Sequence, residues 1–160
     1  MSLGCAIDAP CAARGEPLGV SIACKNDSSQ PLDVATVTLH ELTHWRARGH
    51  TACSRRVVAR ATFDPSTISG AAALEKVPER ASAVEKRAAS NDALRAVYHE
   101  LMAASSRSSL QLATDTRDSY AGMLLSVTHT LSCVMQTPTC VTDPEVAEIY
   151  AEIYAEIYAA

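Results

Sequence analysis

The sequence predicts an all-β sandwich interrupted by one helical insertion, and two observations carry that prediction. Segments in which apolar residues occupy every second position recur in both halves of the chain, separated by clusters of turn-forming residues. Between them, about residues 71–104 are rich in Ala, Glu, Arg and Lys, a composition that favours helix. We therefore predict one domain over residues 1–147 and a low-complexity tail, the tandem EIYA repeat, over residues 148–160.

Three strands are predicted in the first half of the chain. The first spans residues 18–24, a half-buried strand in which apolar residues alternate with small or polar ones, and the turn-forming run NDSSQP follows it. The second spans residues 34–45, which are rich in β-branched side chains. The third spans residues 51–63 and ends at the pair Asp64-Pro65.

The second half contains one predicted helix and the most regular predicted strand. Apolar residues recur at helical spacing after Asp92, which can cap a helix. These residues are Leu94, Val97, Tyr98, Leu101 and Met102. Residues 125–135 return to period two, with one face toward a core and one toward water. The predicted core face consists of Leu125, Val127, His129, Leu131, Cys133 and Met135, and the predicted water face of Ser126, Thr128, Thr130 and Ser132.

The EIYA repeat is predicted to form a marginal, solvent-exposed helix from Glu148. Ala and Glu favour helix locally, and a perfect four-residue repeat supplies no unique set of contacts. Its isoleucines recur every four residues and would form a narrow apolar stripe. Such a stripe could dock on a partner or on a second copy of the chain, so the tail offers a route to weak self-association.

Composition and charge exclude several classes of function. The net charge is −4 and no basic block is present, so nucleic acid is not expected as a partner. No apolar run approaches the roughly 18–20 residues of a membrane span, and no signal peptide is recognisable at the N-terminus. The six cysteines show no CxxC spacing, so we expect free thiols, several of them in the core, and a cytoplasmic protein.

The run His40-Glu41-Leu42-Thr43-His44 matches the HExxH signature of zinc peptidases. That chemistry requires a helix, because residues i and i+4 then share a face and two imidazoles can hold one zinc ion while the glutamate acts as base. A small zinc metallopeptidase that uses His40, Glu41 and His44 is therefore the alternative function. His50 stands at the spacing of a third histidine ligand, although Ala47 replaces the glycine of that longer pattern.

A strand is the better interpretation of the same residues. β-branched residues crowd a helix, and five of them lie in or next to the motif: Val34, Thr36, Val37, Thr38 and Thr43. Residues 46–50 resemble a polar turn between two strands. In a strand, His40 and His44 share the face of Thr38 and Leu42 but stand roughly 13 Å apart, too far to share a metal. We therefore predict no enzyme, no cofactor and no catalytic, cofactor-binding or metal site.

Several segments, taken in order, match those of one known family. In the first half they are the turn Arg14-Gly15-Glu16-Pro17, the turn at residues 25–29, and Val37-Thr38-Leu39 followed by residues 45–50. In the second half they are residues 119–122, the run at residues 125–131, and the cysteine-bearing segment at residues 137–145. Over roughly residues 3–146 the chain thereby resembles the C-terminal domain of arrestin-like proteins, especially the divergent members of protists and algae.

The resemblance implies an immunoglobulin-like, arrestin-type β-sandwich and a non-catalytic adaptor or scaffold. Its partners would be proteins, either cytoplasmic segments of membrane proteins or trafficking machinery, with roles in protein transport, endocytosis or signalling. The chain departs from the family in three respects. Only the second of two sandwich domains is visible, the clathrin-box and PPxY motifs are missing, and the EIYA repeat occupies the place of the family's final strand. No binding residue is therefore carried over.

Overall fold

The computed structural model describes residues 2–9, 11–27, 29–68, 70–72, 96, 99–136 and 148–158. The strands are β1 (Ser2–Ile7), β2 (Cys11–Ala13), β3 (Pro17–Lys25), β4 (Val34–Ala47), β5 (His50–Phe63), β6 (Ser106–Gln111), β7 (Tyr120–Ala121), β8 (Leu125–Gln136) and β9 (Glu148–Tyr158). A 3-10 turn spans Pro65–Thr67, and residues 99–103 are helical. Within these ranges no helix is both long enough and apolar enough to cross a membrane.

The strands form two sheets, which confirms the predicted all-β sandwich. One sheet has the order β1-β3-β6, and the other has the order β2-β9-β8-β4-β5, with β7 added beside β8. Neighbouring strands are antiparallel, except that β2 and β9 are parallel. Buried side chains of both sheets share one core, for example Ile22 of β3, Leu39 of β4 and Leu131 of β8. The core also takes up three cysteines as small apolar residues, namely Cys5, Cys24 and Cys133.

Strand β4 lies inside the larger sheet and pairs along its length with β5 and β8. The strand predicted over residues 34–45 is therefore confirmed and extends to Ala47. The predicted polar turn is also confirmed. Arg48 and Gly49 have φ angles of 49° and 82°, the left-handed pair that a two-residue hairpin requires. Glycine adopts this conformation without strain, which explains Gly49 at the second position.

A β-bulge in β5 changes which of its side chains face the core. Leu39 pairs with Ala59 and His40 pairs with Val57, so Val58 has no partner on β4. The extra residue shifts the alternation by one, and the consecutive residues Val58 and Ala59 are both buried. On the hairpin side of the bulge, the shift places Arg56 opposite the inward-facing Glu41.

Strand β3 is more buried than the half-buried strand predicted over residues 18–24. Its position between β1 and β6 covers both edges of β3, the core covers one face, and Asp8 lies against the other face. On that side, Ser21 donates a hydrogen bond of 2.6 Å to Asp8. A side chain at Gly4 of the neighbouring strand would collide with Met102, so the helical residues pack closely there.

Strand β8 confirms the prediction for residues 125–135, with one exception on each face. The predicted core face is buried apart from the exposed Leu125 at its start. Thr130, however, was predicted to face water and is only 4% exposed. Strand β8 is flanked by β4 on one side and β9 on the other, where His40 and Tyr154 stand in register with Thr130. An inner strand of a sheet offers less access to water than alternation alone suggests.

The helix expected for the EIYA repeat is wrong. Residues Glu148–Tyr158 form β9, which pairs antiparallel with β8 and parallel with β2. A repeat of four residues is also a multiple of two, so it satisfies the alternation of a strand as well as the spacing of a helix. Pairing on both sides overrides the local helix propensity. Most of the predicted insertion at residues 71–104 lies outside the described residues.

Deleting residues 148–158 should destabilise the protein strongly. Strand β8 would lose its backbone partner over eight residue pairs and become an edge. We expect a loss of several kcal/mol, on the order of half the stability of a typical domain, and a fall in Tm of about 10 °C or more. Calorimetry of the full and shortened chains measures this. An unchanged Tm would show that the repeat is an appendage.

Candidate functional site: the Glu41 cluster and the hairpin end

The HExxH residues of β4 do not converge. Glu41 faces the core and is only 2% exposed, whereas His40 and His44 lie on the opposite face of the strand. His40 is half-buried and His44 is exposed. A zinc peptidase needs both imidazoles on one helical face, with the glutamate next to the metal that they hold. The strand separates the base from both imidazoles, so the geometry does not support the metallopeptidase alternative.

His50, the third histidine of the longer pattern, lies at the start of β5 and is exposed. His44 contacts Cys53 across the hairpin, with 3.8 Å between Nε2 and Sγ. Within the described ranges no group of three or more His, Cys, Asp or Glu side chains could hold a metal ion.

The core-facing carboxylate of Glu41 is held by two arginines. Arg56 donates from Nη2 to Oε2 at 2.9 Å, and the backbone N–H of Arg117 donates to the same oxygen at 2.9 Å. The guanidinium of Arg117 lies 3.6 Å from Oε1 and also donates to the Thr43 hydroxyl. Every buried charge needs such partners, because its desolvation is otherwise very costly.

Arg56 extends this cluster to the segment between β6 and β7. Its Nη1 donates to the Asp115 carboxylate at 2.7 Å, and its Nη2 donates to the Asp115 carbonyl at 3.0 Å. One guanidinium therefore bridges a buried carboxylate of β4 and an exposed one on the connecting segment. The segment is fixed to the end of the larger sheet through these contacts.

The electrostatics make Glu41 a structural anion and a poor general base. Burial raises the pKa of Glu41, but the hydrogen bonds from Arg56 and from the Arg117 backbone, together with both positive charges, outweigh it and lower the pKa. The hydrogen bond to Glu41 in turn raises the pKa of Arg56, and this effect is larger than the lowering caused by desolvation of the guanidinium. A general base works best when its pKa is close to the operating pH, which this carboxylate is not.

His129 borders the cluster from β8. It is fully buried and pairs in register with Glu41, and its Nδ1 lies 3.0 Å from the Ser119 hydroxyl. Burial lowers the pKa of His129, with Arg56 adding to the effect and Glu41 opposing it, so the imidazole is neutral at pH 7. Its Nε2 is 3.9 Å from the Glu41 carboxylate, too long for a hydrogen bond.

The set Ser119, His129 and Glu41 has the residue types of a hydrolase relay, but its geometry differs. In such a relay the acid hydrogen-bonds the histidine, and the histidine activates an accessible hydroxyl. Here the carboxylate oxygens are engaged by Arg56 and Arg117, and the imidazole has no access to solvent. The arrangement instead tethers the segment before β7 to β8.

Two hairpins meet at one end of the larger sheet. We define the hairpin end as Trp45, Arg46 and Arg48 of the β4–β5 hairpin with Met123, Leu124 and Leu125 of the β7–β8 hairpin. The backbone N–H of Arg46 donates to the Leu124 carbonyl at 2.8 Å, which joins them. A shallow cleft of about 140 Å³ lies between the two hairpins. Sequence analysis missed this surface, although the run Met123-Leu124-Leu125 is an apolar signal next to a predicted strand.

Replacing Glu41 with Gln should destabilise the fold in a pH-dependent way. We expect a loss of about 3 kcal/mol at pH 7, the low end for a broken buried ion pair, because both guanidinium groups stay within reach of water. The pKa of Glu41 is lowered in the folded protein. Its carboxylate therefore stabilises the fold fully at pH values above the unfolded-state pKa, and this stabilisation is lost as the pH falls through the folded-state pKa. Urea unfolding at several pH values should show the two proteins converging below about pH 4.

Asp115→Asn is the matched control for Glu41→Gln. This change removes the other carboxylate that pairs with Arg56. Because the Asp115 side chain is 72% exposed, the change should lower the free energy of unfolding by less than about 1 kcal/mol. Equal losses from the two variants would contradict the distinction between a buried anion and a surface pair.

The protein should bind no stoichiometric zinc. Strand β4 holds the His40 and His44 imidazoles apart and turns Glu41 away from both. Elemental analysis after purification without chelators checks this. One zinc per chain that is lost in both His40→Ala and His44→Ala would favour the peptidase instead.

Comparison with known proteins gives a likeness in fold. No family model and no curated protein sequence matches the chain. Among solved structures, the sporulation control protein Spo0M from Bacillus subtilis is similar, with a TM-score of 0.53 and 8% sequence identity. The match covers 99% of this chain and 49% of the Spo0M chain, so the chain spans about half of that protein's length. Spo0M has an arrestin-like β-sandwich fold, and the similarity shows that this protein shares that fold, as the sequence resemblance implied.

Proposed function

We propose that the chain is a non-catalytic adaptor or scaffold that binds extended segments of partner proteins in the cytoplasm. Cytoplasmic segments of membrane proteins and components of the trafficking machinery are the partners we propose, with roles in protein transport, endocytosis or signalling. The observation that carries the proposal is the free edge of β5. The arrestin-like fold is compatible with this role, but fold alone does not define a function.

Strand β5 pairs with β4 on one side and, among the strands that the structure describes, has no ladder partner on the other. In a two-residue hairpin the closing pair, here Ala47 and His50, is hydrogen-bonded in both directions. By alternation, the backbone N–H and C=O groups of Thr51, Cys53 and Arg55 point away from β4. An extended peptide can add to such an edge as a new strand.

This part of the edge lacks two features that protect sheet edges, a proline and a bulge. The bulge lies beyond it, at Val58, and residues 50–55 are all exposed. Residues 42–63 contain five arginines and no carboxylate, although the whole chain has a net charge of −4. An acidic extended segment therefore fits the charge of this edge.

A displayed library of random linear peptides tests the proposal. The enriched peptides should be acidic and alternate apolar with polar residues, as a strand on this edge requires. Cys53→Pro should weaken their binding by about tenfold or more, because it removes an outward N–H that the peptide needs. The fold should remain intact, since proline is tolerated in an edge strand when the missing N–H faces solvent.

Cys53→Ala is the control, because it removes the thiol and keeps the N–H. It should bind the selected peptides as the unmodified protein does. Equal binding by Cys53→Pro would show recognition through side chains without strand addition, and the absence of any enriched peptide would reject the proposal.

A further inference from the structure

The hairpin end exposes four large apolar side chains next to one another. Met123 and Leu124 are consecutive residues at the tip of the β7–β8 hairpin and are 95% and 68% exposed. Trp45 and Leu125 beside them are each more than two fifths exposed. A single exposed apolar residue needs no explanation, but a contiguous patch indicates a site of interaction.

The same end is basic. Arg46 and Arg48 flank the apolar tip, and the backbone of Arg46 is hydrogen-bonded to Leu124. Both arginines are exposed, and neither has an ion pair with any residue in the described ranges. The nearest carboxylates in sequence are the buried Glu41 on one side and Asp64 on the other. An otherwise acidic protein therefore presents one positively charged end.

We propose that the hairpin end is a contact site for anionic phospholipid membranes. Met123 and Leu124 would enter the boundary between headgroups and acyl chains, and Arg46 and Arg48 would contact the lipid phosphates. Binding of this kind scales with the buried apolar area plus the attraction between basic residues and anionic lipids. Trp45 is of the residue type that favours the interface between membrane and water.

The shape of the tip favours a membrane over an acidic protein. The two most exposed apolar side chains project from a turn, and a protein partner would need a preformed pocket to bury them. A lipid surface adapts to a projecting group. This inference uses side chains at the turns, whereas the proposed peptide binding uses the backbone edge of Thr51–Arg55, so either can fail without the other.

Trp45 provides a direct readout, because it is the only tryptophan in the chain. The full chain should sediment with vesicles of phosphatidylcholine that contain about one third phosphatidylserine, and not with vesicles of phosphatidylcholine alone. Trp45 fluorescence should shift to shorter wavelength only with the anionic vesicles. Raising the salt concentration should weaken binding, since screening reduces the attraction between exposed charges and the surface.

Substitutions at the exposed tip test the apolar contribution to membrane binding without changing the core. The double variant Met123→Ser with Leu124→Ser should lose the shift in Trp45 fluorescence and most of the sedimentation. Val57→Ser is the matched control, because Val57 is 54% exposed on β5 but lies away from the hairpin end. It should bind as the unmodified chain does.

Substitutions of the arginines test the charge. Arg46→Gln and Arg48→Asn should each weaken binding by about fivefold, the usual effect of one basic residue near an anionic surface. Asn suits the left-handed backbone at position 48, so the turn is kept. Arg60→Gln is the control, since Arg60 is exposed on β5, near the end of that strand away from the β4–β5 turn.

Three results would overturn the inference. The first is equal binding to both kinds of vesicle, or to neither. The second is a loss of binding in Val57→Ser or Arg60→Gln as large as at the hairpin end. The third is a shift of Trp45 fluorescence with a poly-glutamate peptide but not with anionic vesicles, which would assign the site to an acidic protein segment.

Discussion

The buried carboxylate of Glu41 is the constraint on which this end of the molecule depends. A charge that is only 2% exposed must be matched by opposite charge and hydrogen bonds, or the fold would lose several kcal/mol. The alternation of β4 turns Glu41 inward, and the bulge at Val58 brings Arg56 opposite to it. Without that extra residue, Arg56 and the buried Ala59 could not both face the core.

The Glu41 cluster also positions the proposed interaction surface. Four residues of the segment between β6 and β7 are each held by a contact with another part of the chain. The pairs are Asp115 with Arg56, Arg117 with Glu41, Asp118 with Arg14 and Ser119 with His129. Strand β7 and the Met123-Leu124 turn follow directly. A chain of ion pairs and hydrogen bonds therefore fixes the β7–β8 hairpin against β4, and an apolar tip held in this way is ordered before any partner arrives, which favours binding.

The sequence predicted the elements with a clear period and missed those that depend on distant contacts. Strand β8 follows from alternation, β4 from its β-branched residues and β5 from the turn signals on either side of it, and the turn at residues 46–50 follows from its polar composition. The burial of Glu41 could be predicted, because Glu41 shares the strand face of Val37 and Leu39. Its contact with Arg117 could not, because Arg117 is 76 residues away and no local pattern indicates the pairing. The EIYA repeat fits both a helix and a strand, and only pairing with β8 and β2 decides between them. The HExxH motif was ambiguous for the same reason, because its residues can also stand in either a helix or a strand.

Nuclear Overhauser contacts across the β4–β5 hairpin test the strand assignment of the HExxH residues most directly. His44 and Cys53 are opposite residues that do not exchange hydrogen bonds, so their Hα protons should be close and give a strong cross-peak. Strong contacts between sequential amide protons through residues 40–44, without the His44–Cys53 cross-peak, would contradict the account. That pattern would place the two histidines on one helical face and return Glu41 to the role of a zinc-peptidase base.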